Sequence, residues 1–273
     1  MGSQNINIEN CVVENIRMQY FKFGTGKKIF VIIPGLSVQS VMGSAEAVAE
    51  EYSIFMEEYT TYVFDRRENL PASYYIHDMA EDTVKVMESL GLKDINLFGA
   101  SQGGMIAMDI AINHQRLISK LVLGSTSSRI SKAQEEKVEH WIELAKAGDA
   151  VKLMLDFGKN LYPEAVYEQY KDYFTETGKK VKGAELKRFI TFAESIKDFN
   201  VTERLNRIGC PVLITGAFED AVLDSDATME MAEQLDHRPD FKLFMYNGYG
   251  HAAFDTAPDY RERVYRFLKG GDD

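Results

Sequence analysis

Gly99-Ala100-Ser101-Gln102-Gly103 reads G-x-S-x-G, with a short apolar run, Ile95 to Phe98, before it and a helical pattern through Met105 and Ile106 behind it. A serine on a sharp strand-to-helix turn is held in strained backbone geometry, and the flanking glycines remove Cβ atoms that would crowd it. The hydroxyl is thereby presented to an electrophilic carbonyl. The same turn leaves the Gln102 backbone N–H at a helix N-terminus, where unpaired donors and the helix dipole favour a developing oxyanion. A second donor is expected from Pro34-Gly35-Leu36-Ser37, the loop after the run Ile29 to Ile33; Gly35 lets the chain turn close to the serine, and the Leu36 N–H is assigned the role.

A neutral hydroxyl is a weak nucleophile at neutral pH, so a histidine must accept its proton and a carboxylate must orient that histidine. Among the five histidines, His251 lies in the loop Gly248-Tyr249-Gly250-His251-Ala252, between the last apolar run and a helix expected from Pro258 to Leu268. The base belongs there. His77 and His114 lie at the start and end of helical patterns, and His140 and His237 read as insertion and surface residues. For the acid, the run Val212 to Thr215 leads into Gly216-Ala217-Phe218-Glu219-Asp220, so Glu219 and Asp220 both fall just past a strand end. Asp220 is taken as the acid, with Glu219 the alternative.

These residues need a scaffold that brings strand ends together. The runs Val12 to Ile16 and Met18 to Phe23, followed by the polar Gly24-Thr25-Gly26-Lys27, suggest an opening hairpin. Further short apolar runs at Ile29 to Ile33, Tyr62 to Phe64, Ile95 to Phe98, Leu121 to Leu123, Val212 to Thr215 and Lys242 to Tyr246 read as buried parallel strands. Helical patterns alternate with them, most clearly from Ile76 to Leu90, where Met79, Thr83, Val86 and Met87 recur at helical spacing before Gly91. This predicts an α/β fold with a mostly parallel central sheet flanked by helices. The alternation breaks only between about Ser125 and Arg207, which predicts a helical insertion after the sixth strand. Residues 1–125 and 207–273 are then the core domain and 126–206 a cap. Most of the insertion's aromatic residues, Trp141, Phe157, Tyr162, Tyr173, Phe174 and Phe189 among them, are expected to pack its own small core, and some to roof a pocket over the sheet.

Pro34-Gly35, Asp65-Arg66-Arg67, the turn Gly99 to Gly104, the segment Gly216 to Asp220 and Gly250-His251 together resemble the α/β-hydrolase superfamily, from about Ile29 to Leu268. The looser similarity is to enol-lactonase, haloperoxidase and esterase-like members. The resemblance implies an α/β-hydrolase fold, a helical cap at the insertion and a triad in the order Ser101, Asp220, His251. Many members have His-Gly where this chain has Pro34-Gly35. Many also place the acid three residues after the glycine, which would select Glu219, whereas the trailing Ala221-Val222-Leu223 matches what usually follows the acid and selects Asp220. Asp65-Arg66-Arg67 lacks the glycine that commonly follows and is expected to supply a buried ion pair bracing the sheet.

Composition narrows the partners. With 273 residues, 45% hydrophobic and 27% charged, the chain is an ordinary globular one. Its formal net charge of -11 repels phosphate backbones and anionic lipid, and no basic cluster overrides it, so neither nucleic acid nor membrane is an expected partner. Cys11 and Cys210 form no C-x-x-C pair and read as free core thiols. No secretion signal is read at the start, which makes a cytoplasmic location the expectation. No cofactor is implied: Gly24-Thr25-Gly26-Lys27 lacks phosphate-loop spacing, no G-x-G-x-x-G follows the first strand, and no His or carboxylate cluster has metal-ligand spacing. The expected function is a serine hydrolase cleaving a small ester-like substrate, whether carboxylic ester, lactone or thioester, through an acyl-enzyme on Ser101. Its rivals are a small-molecule receptor module with a slow or silent triad, and a cofactor-free perhydrolase in which peroxide replaces water. Oligomeric state is left open.

Overall fold

The computed structural model describes residues 6–223 and 225–271. The strands are β1 (Ile8–Val13), β2 (Ile16–Phe23), β3 (Lys28–Ile33), β4 (Tyr59–Arg67), β5 (Ile95–Ala100), β6 (Ile118–Gly124), β7 (Val212–Ala217) and β8 (Phe241–Tyr246). They form one eight-stranded sheet in the order β1-β2-β4-β3-β5-β6-β7-β8. β2 pairs antiparallel with β1 and β4, and all other neighbours are parallel. The helices are α1 (Ala45–Glu51), α2 (Ile76–Ser89), α3 (Gln102–Asn113), α4 (Lys132–Lys146), α5 (Ala150–Leu161), α6 (Glu164–Lys180), α7 (Gly183–Glu194), α8 (Ser225–Glu233), α9 (Ala253–Thr256) and α10 (Tyr260–Lys269). No helix among the described residues is long and apolar enough to cross a membrane.

Successive side chains of a strand point to opposite faces, so a sheet covered on both sides needs strands apolar at every position. β3 and β5 meet that demand. Val31, Ile33 and Leu97 join the core beneath α2 and α3, while Phe30, Ile32 and Phe98 join a second core with Tyr52, Tyr260 and Phe267 beneath α1 and α10. Because β3 to β8 all run the same way, their carboxyl ends share one edge, the place where open α/β sheets bind ligands. Pro34 to Ser37, Ser101, Asp220 and His251 all follow strands at that edge.

Three local expectations are corrected. The opening hairpin turns at Glu14 and Asn15, with Val13 opposite Ile16 and Glu14 at φ 51°, so Arg17 is an outward residue inside β2 rather than a break. The Gly24 to Lys27 loop is a crossover, since β4 lies between β2 and β3. Its amides are committed to protein carbonyls, Thr25 N to Met56 O at 2.9 Å and Gly26 N to Tyr59 O at 3.3 Å. Finally, β4 does not stop at Phe64 but carries Asp65, Arg66 and Arg67, all buried, to its carboxyl end.

Helices α4 to α7 lie between β6 and β7, and the chain enters and leaves them side by side through the Arg129–Asn200 bridge. Trp141, Leu153, Phe189 and Phe192 of these helices belong to the same contiguous apolar cluster as α2, α3 and the sheet.

Candidate active site

Ser101 sits between β5 and α3 with φ 52° and ψ −122°, a conformation that costs a residue with a Cβ about 1–3 kcal/mol. Surrounding contacts over-determine it. Ser101 N donates to Gly124 O at 2.9 Å, and Ser101 O accepts from Thr126 Oγ1 at 2.7 Å and Gly104 N at 2.8 Å. The flanking glycines are required by space. A Cβ on Gly103 would lie 2.0 Å from Ile33 O, and one on Gly99 2.3 Å from Gly103 O. Gly104, which the spacing argument did not need, is packed against Thr126 at 2.5 Å in the same sense.

His251 is almost fully buried and its Nδ1 lies 2.8 and 3.0 Å from the two carboxylate oxygens of Asp220. A carboxylate only accepts, so Nδ1 carries the proton and Nε2 is the basic nitrogen. Nε2 is buried with no hydrogen-bond partner among the described residues. Burial pushes the Asp220 carboxyl up, but the charge and hydrogen bond of His251, with the Leu223 and Val222 amides at 2.9 and 2.8 Å, hold it below its ordinary value. Glu219 points elsewhere: it is exposed and accepts from Gly248 N at 2.7 Å. Of the two adjacent carboxylates, the fold brings Asp220 to His251.

Gly35 packs so close to the turn that a Cβ there would lie 3.1 Å from Ser101 Cβ. Neither the Leu36 nor the Gln102 amide donates to a backbone acceptor among the described residues, so both remain available to an oxyanion. The buried Arg66 ties these two segments together, its Nη2 donating to Pro34 O at 2.6 Å and to Gln102 Oε1 at 3.1 Å. Gln102 Nε2 in turn donates to Phe192 O at 2.6 Å, beyond α3 in the insertion.

Ser101, His251, Leu36 and Gln102 all line one cavity of about 690 Å³ between the sheet edge and the inserted helices. Trp141, Phe157, Leu161, Tyr162, Tyr173 and Phe174 supply much of its roof. The family model for the alpha/beta hydrolase fold matches residues 29–258. The chain belongs to the α/β-hydrolase family.

Within this family, the chain is 23% identical over 263 residues to a Caulobacter segnis protein described as "Putative carbamate hydrolase RutD", covering 90% of this chain and 92% of that one. Among solved structures it is similar to MGS-M2, an alpha/beta hydrolase enzyme from a Medee basin deep-sea metagenome library, with TM-score 0.85, 20% identity and 97% and 98% of the two chains covered. The enol-lactonase from Burkholderia xenovorans superposes with TM-score 0.80 at 15% identity, covering 96% of this hydrolase and all of that one at 100%.

The other histidines of this hydrolase lie away from the cavity lining. His140 and His237 are exposed, His114 Nε2 pairs with Glu81 at 2.6 Å, and His77 Nδ1 pairs with Asp109 at 2.9 Å, which raises the His77 pKa. Folding gathers His77, Glu81 and Asp109 so that their ligand atoms lie within 4.8 Å, a grouping across α2 and α3 that sequence spacing did not reveal. Those atoms are already engaged with one another and with His114 and Asn113. Asp255 lines the α/β-hydrolase site without any signal in the sequence reading, Tyr162 lines it as one of the insertion aromatics expected to roof a pocket, and Arg66, expected only to brace the sheet, braces the site's loops from behind.

Proposed function

We propose that this hydrolase cleaves a small, largely apolar ester-like substrate, a carboxylic ester, lactone or thioester, through an acyl-enzyme on Ser101. The observation that carries the reading is the buried Asp220–His251 pair opening onto the same cavity as the strained Ser101. His251 Nε2 accepts the hydroxyl proton as Ser101 Oγ bonds to the substrate carbonyl carbon. The carbonyl electrons move onto oxygen, where the Leu36 and Gln102 amides stabilise them. Collapse breaks the bond to the leaving group, which takes the proton from His251; water then repeats the sequence and releases the acid. The helices of residues 126–206 serve as a cap whose aromatic face limits what enters.

The cavity supports the substrate class. About 690 Å³ suits a ligand of many atoms, and the described lining contains no Lys or Arg to balance an anion. Free carbamate is small and negatively charged, so the named activity of the RutD relatives transfers more readily as hydrolysis of a carbamate ester than of the ion.

A fluorophosphonate probe tests the proposal, with the labelled residue mapped by mass spectrometry. Labelling at Ser101 is expected, with Ser101→Ala and His251→Ala both unlabelled. Absence of labelling in folded wild-type protein, by a probe small enough to pass the cap, would favour the receptor reading.

A further inference from the structure

Among the described residues, the lining of the cavity holds two carboxylates besides the buried His251, namely Glu185 and Asp255. Glu185 is occupied at the start of α7, accepting from Lys182 N at 2.7 Å and Gln39 Nε2 at 3.5 Å. Asp255 is different. It follows His251 by four residues, within α9, and its side chain is exposed where it lines the cavity. One oxygen, Oδ2, accepts from Tyr162 Oη at 3.2 Å, and Oδ1 has no donor among the described residues. The neighbouring cation, Arg261, pairs with Glu51 at 2.9 Å and bonds the backbone oxygen of Asp255 at 3.0 Å, making no hydrogen bond to its carboxylate. The protein atoms packed around it desolvate the carboxyl and raise the Asp255 pKa, with Arg261 and the Tyr162 hydroxyl acting against it.

Aromatic rings line the same cavity as this carboxylate. Tyr162 lies 6.0 Å from Phe174, Phe174 lies 5.8 Å from Tyr173, and Phe254, next to Asp255, meets the His251 ring edge-on at 6.2 Å. All four rings line the cavity. A carboxylate with one unfilled oxygen in a cavity also lined by aromatic rings attracts an ammonium group by charge, and the rings can add cation–π contact.

We propose that Asp255 and Tyr162 form an ammonium subsite, so that the preferred substrate is an ester-like molecule carrying a protonated amine. The inference rests on the hydrolytic reading of Ser101 and names its substrate class. The amine docks on Asp255 while its ester carbonyl reaches Ser101, and the apolar remainder of the substrate lies along Trp141 and Phe157.

The test compares kcat/KM for two pairs of isosteres. Dimethylaminoethyl butyrate is set against isoamyl butyrate, and a second pair carries the amine on the acyl side. Wild-type protein is expected to favour the ammonium member of at least one pair by about 10- to 100-fold, the range of a hydrogen bond to a charged group. Asp255→Asn should bring that ratio close to one and Tyr162→Phe should lower it partway. If Asp255 serves only to latch the insertion to the His251 loop, both members slow together and the ratio stays, which overturns the subsite. A wild-type ratio near one in both pairs also overturns it. Calorimetric binding of the same pairs to Ser101→Ala separates the two readings: ammonium preference in binding without turnover in wild type would keep the subsite and sink hydrolysis, and equal binding would sink the subsite even where esters turn over.

Discussion

Asp220 and Glu219 are neighbours in the chain with opposite fates. Asp220 turns inward, bonds His251 and takes two backbone amides, whereas Glu219 turns outward to Gly248 N. A carboxylate that orients the base and stabilises the imidazolium is worth about 10,000-fold in kcat. Asp220→Ala is therefore expected to lose turnover by about that factor, and Glu219→Ala to change it only a few-fold, both measured on a short aryl ester. Equal losses would mean that the loop after β7, not the Asp220 carboxylate, holds His251.

Among elements, the end of β4 joins most of the site. Arg66 reaches the loop after β3 and the start of α3, and Asp65 accepts from Ser40 Oγ at 2.6 Å and pairs with Arg188 of α7 at 2.8 Å. Arg67 faces the other way, to Asp82 of α2 at 3.2 Å, where Tyr74 Oη adds a bond at 2.9 Å. The expected bracing ion pair is thus divided among separate partners. Burial lowers the Arg66 pKa to about 10, so it stays charged at neutral pH. Arg66→Ala is expected to lower kcat by about 100-fold by loosening the loop after β3 and the start of α3 while the protein stays folded. Arg67→Ala should instead cost about 3–5 kcal/mol of stability, read by denaturant unfolding, and leave kcat of the folded fraction near wild type.

At the scale of the molecule, Glu58 joins the start of β3 to the last helix, pairing with Lys28 at 2.8 Å and with Lys269 at the end of α10 at 2.7 Å. Tyr265 Oη adds a third bond to it at 2.7 Å. These donors hold the Glu58 pKa at about 2, down from 4.5. A carboxyl whose pKa is lower folded than unfolded stabilises fully above the unfolded value and loses that contribution as pH falls through the folded one. Wild-type melting temperature should therefore drop as pH falls from about 4.5 toward 2, and Glu58→Gln should flatten part of that slope while leaving the slope above pH 5 unchanged.

What the sequence determined by itself was carried by contiguous residues, apart from the hairpin turn, the Gly24 to Lys27 loop and the end of β4. The strand–turn–helix around Ser101, the loop carrying His251, the parallel sheet and the insertion after the sixth strand follow from short-range steric and hydrophobic rules acting on neighbours in the chain. What only the tertiary structure decided were pairings between distant segments. Tyr162 meets Asp255 across 93 positions, and Gln102 reaches Phe192 across 90. Glu219 and Asp220 are chemically alike and adjacent; the residues after them favoured Asp220, and packing around β7 and β8 gives the two carboxylates their different partners. The direction of a polar side chain depends on which partner satisfies it once buried, and that partner is fixed by the fold rather than by local spacing.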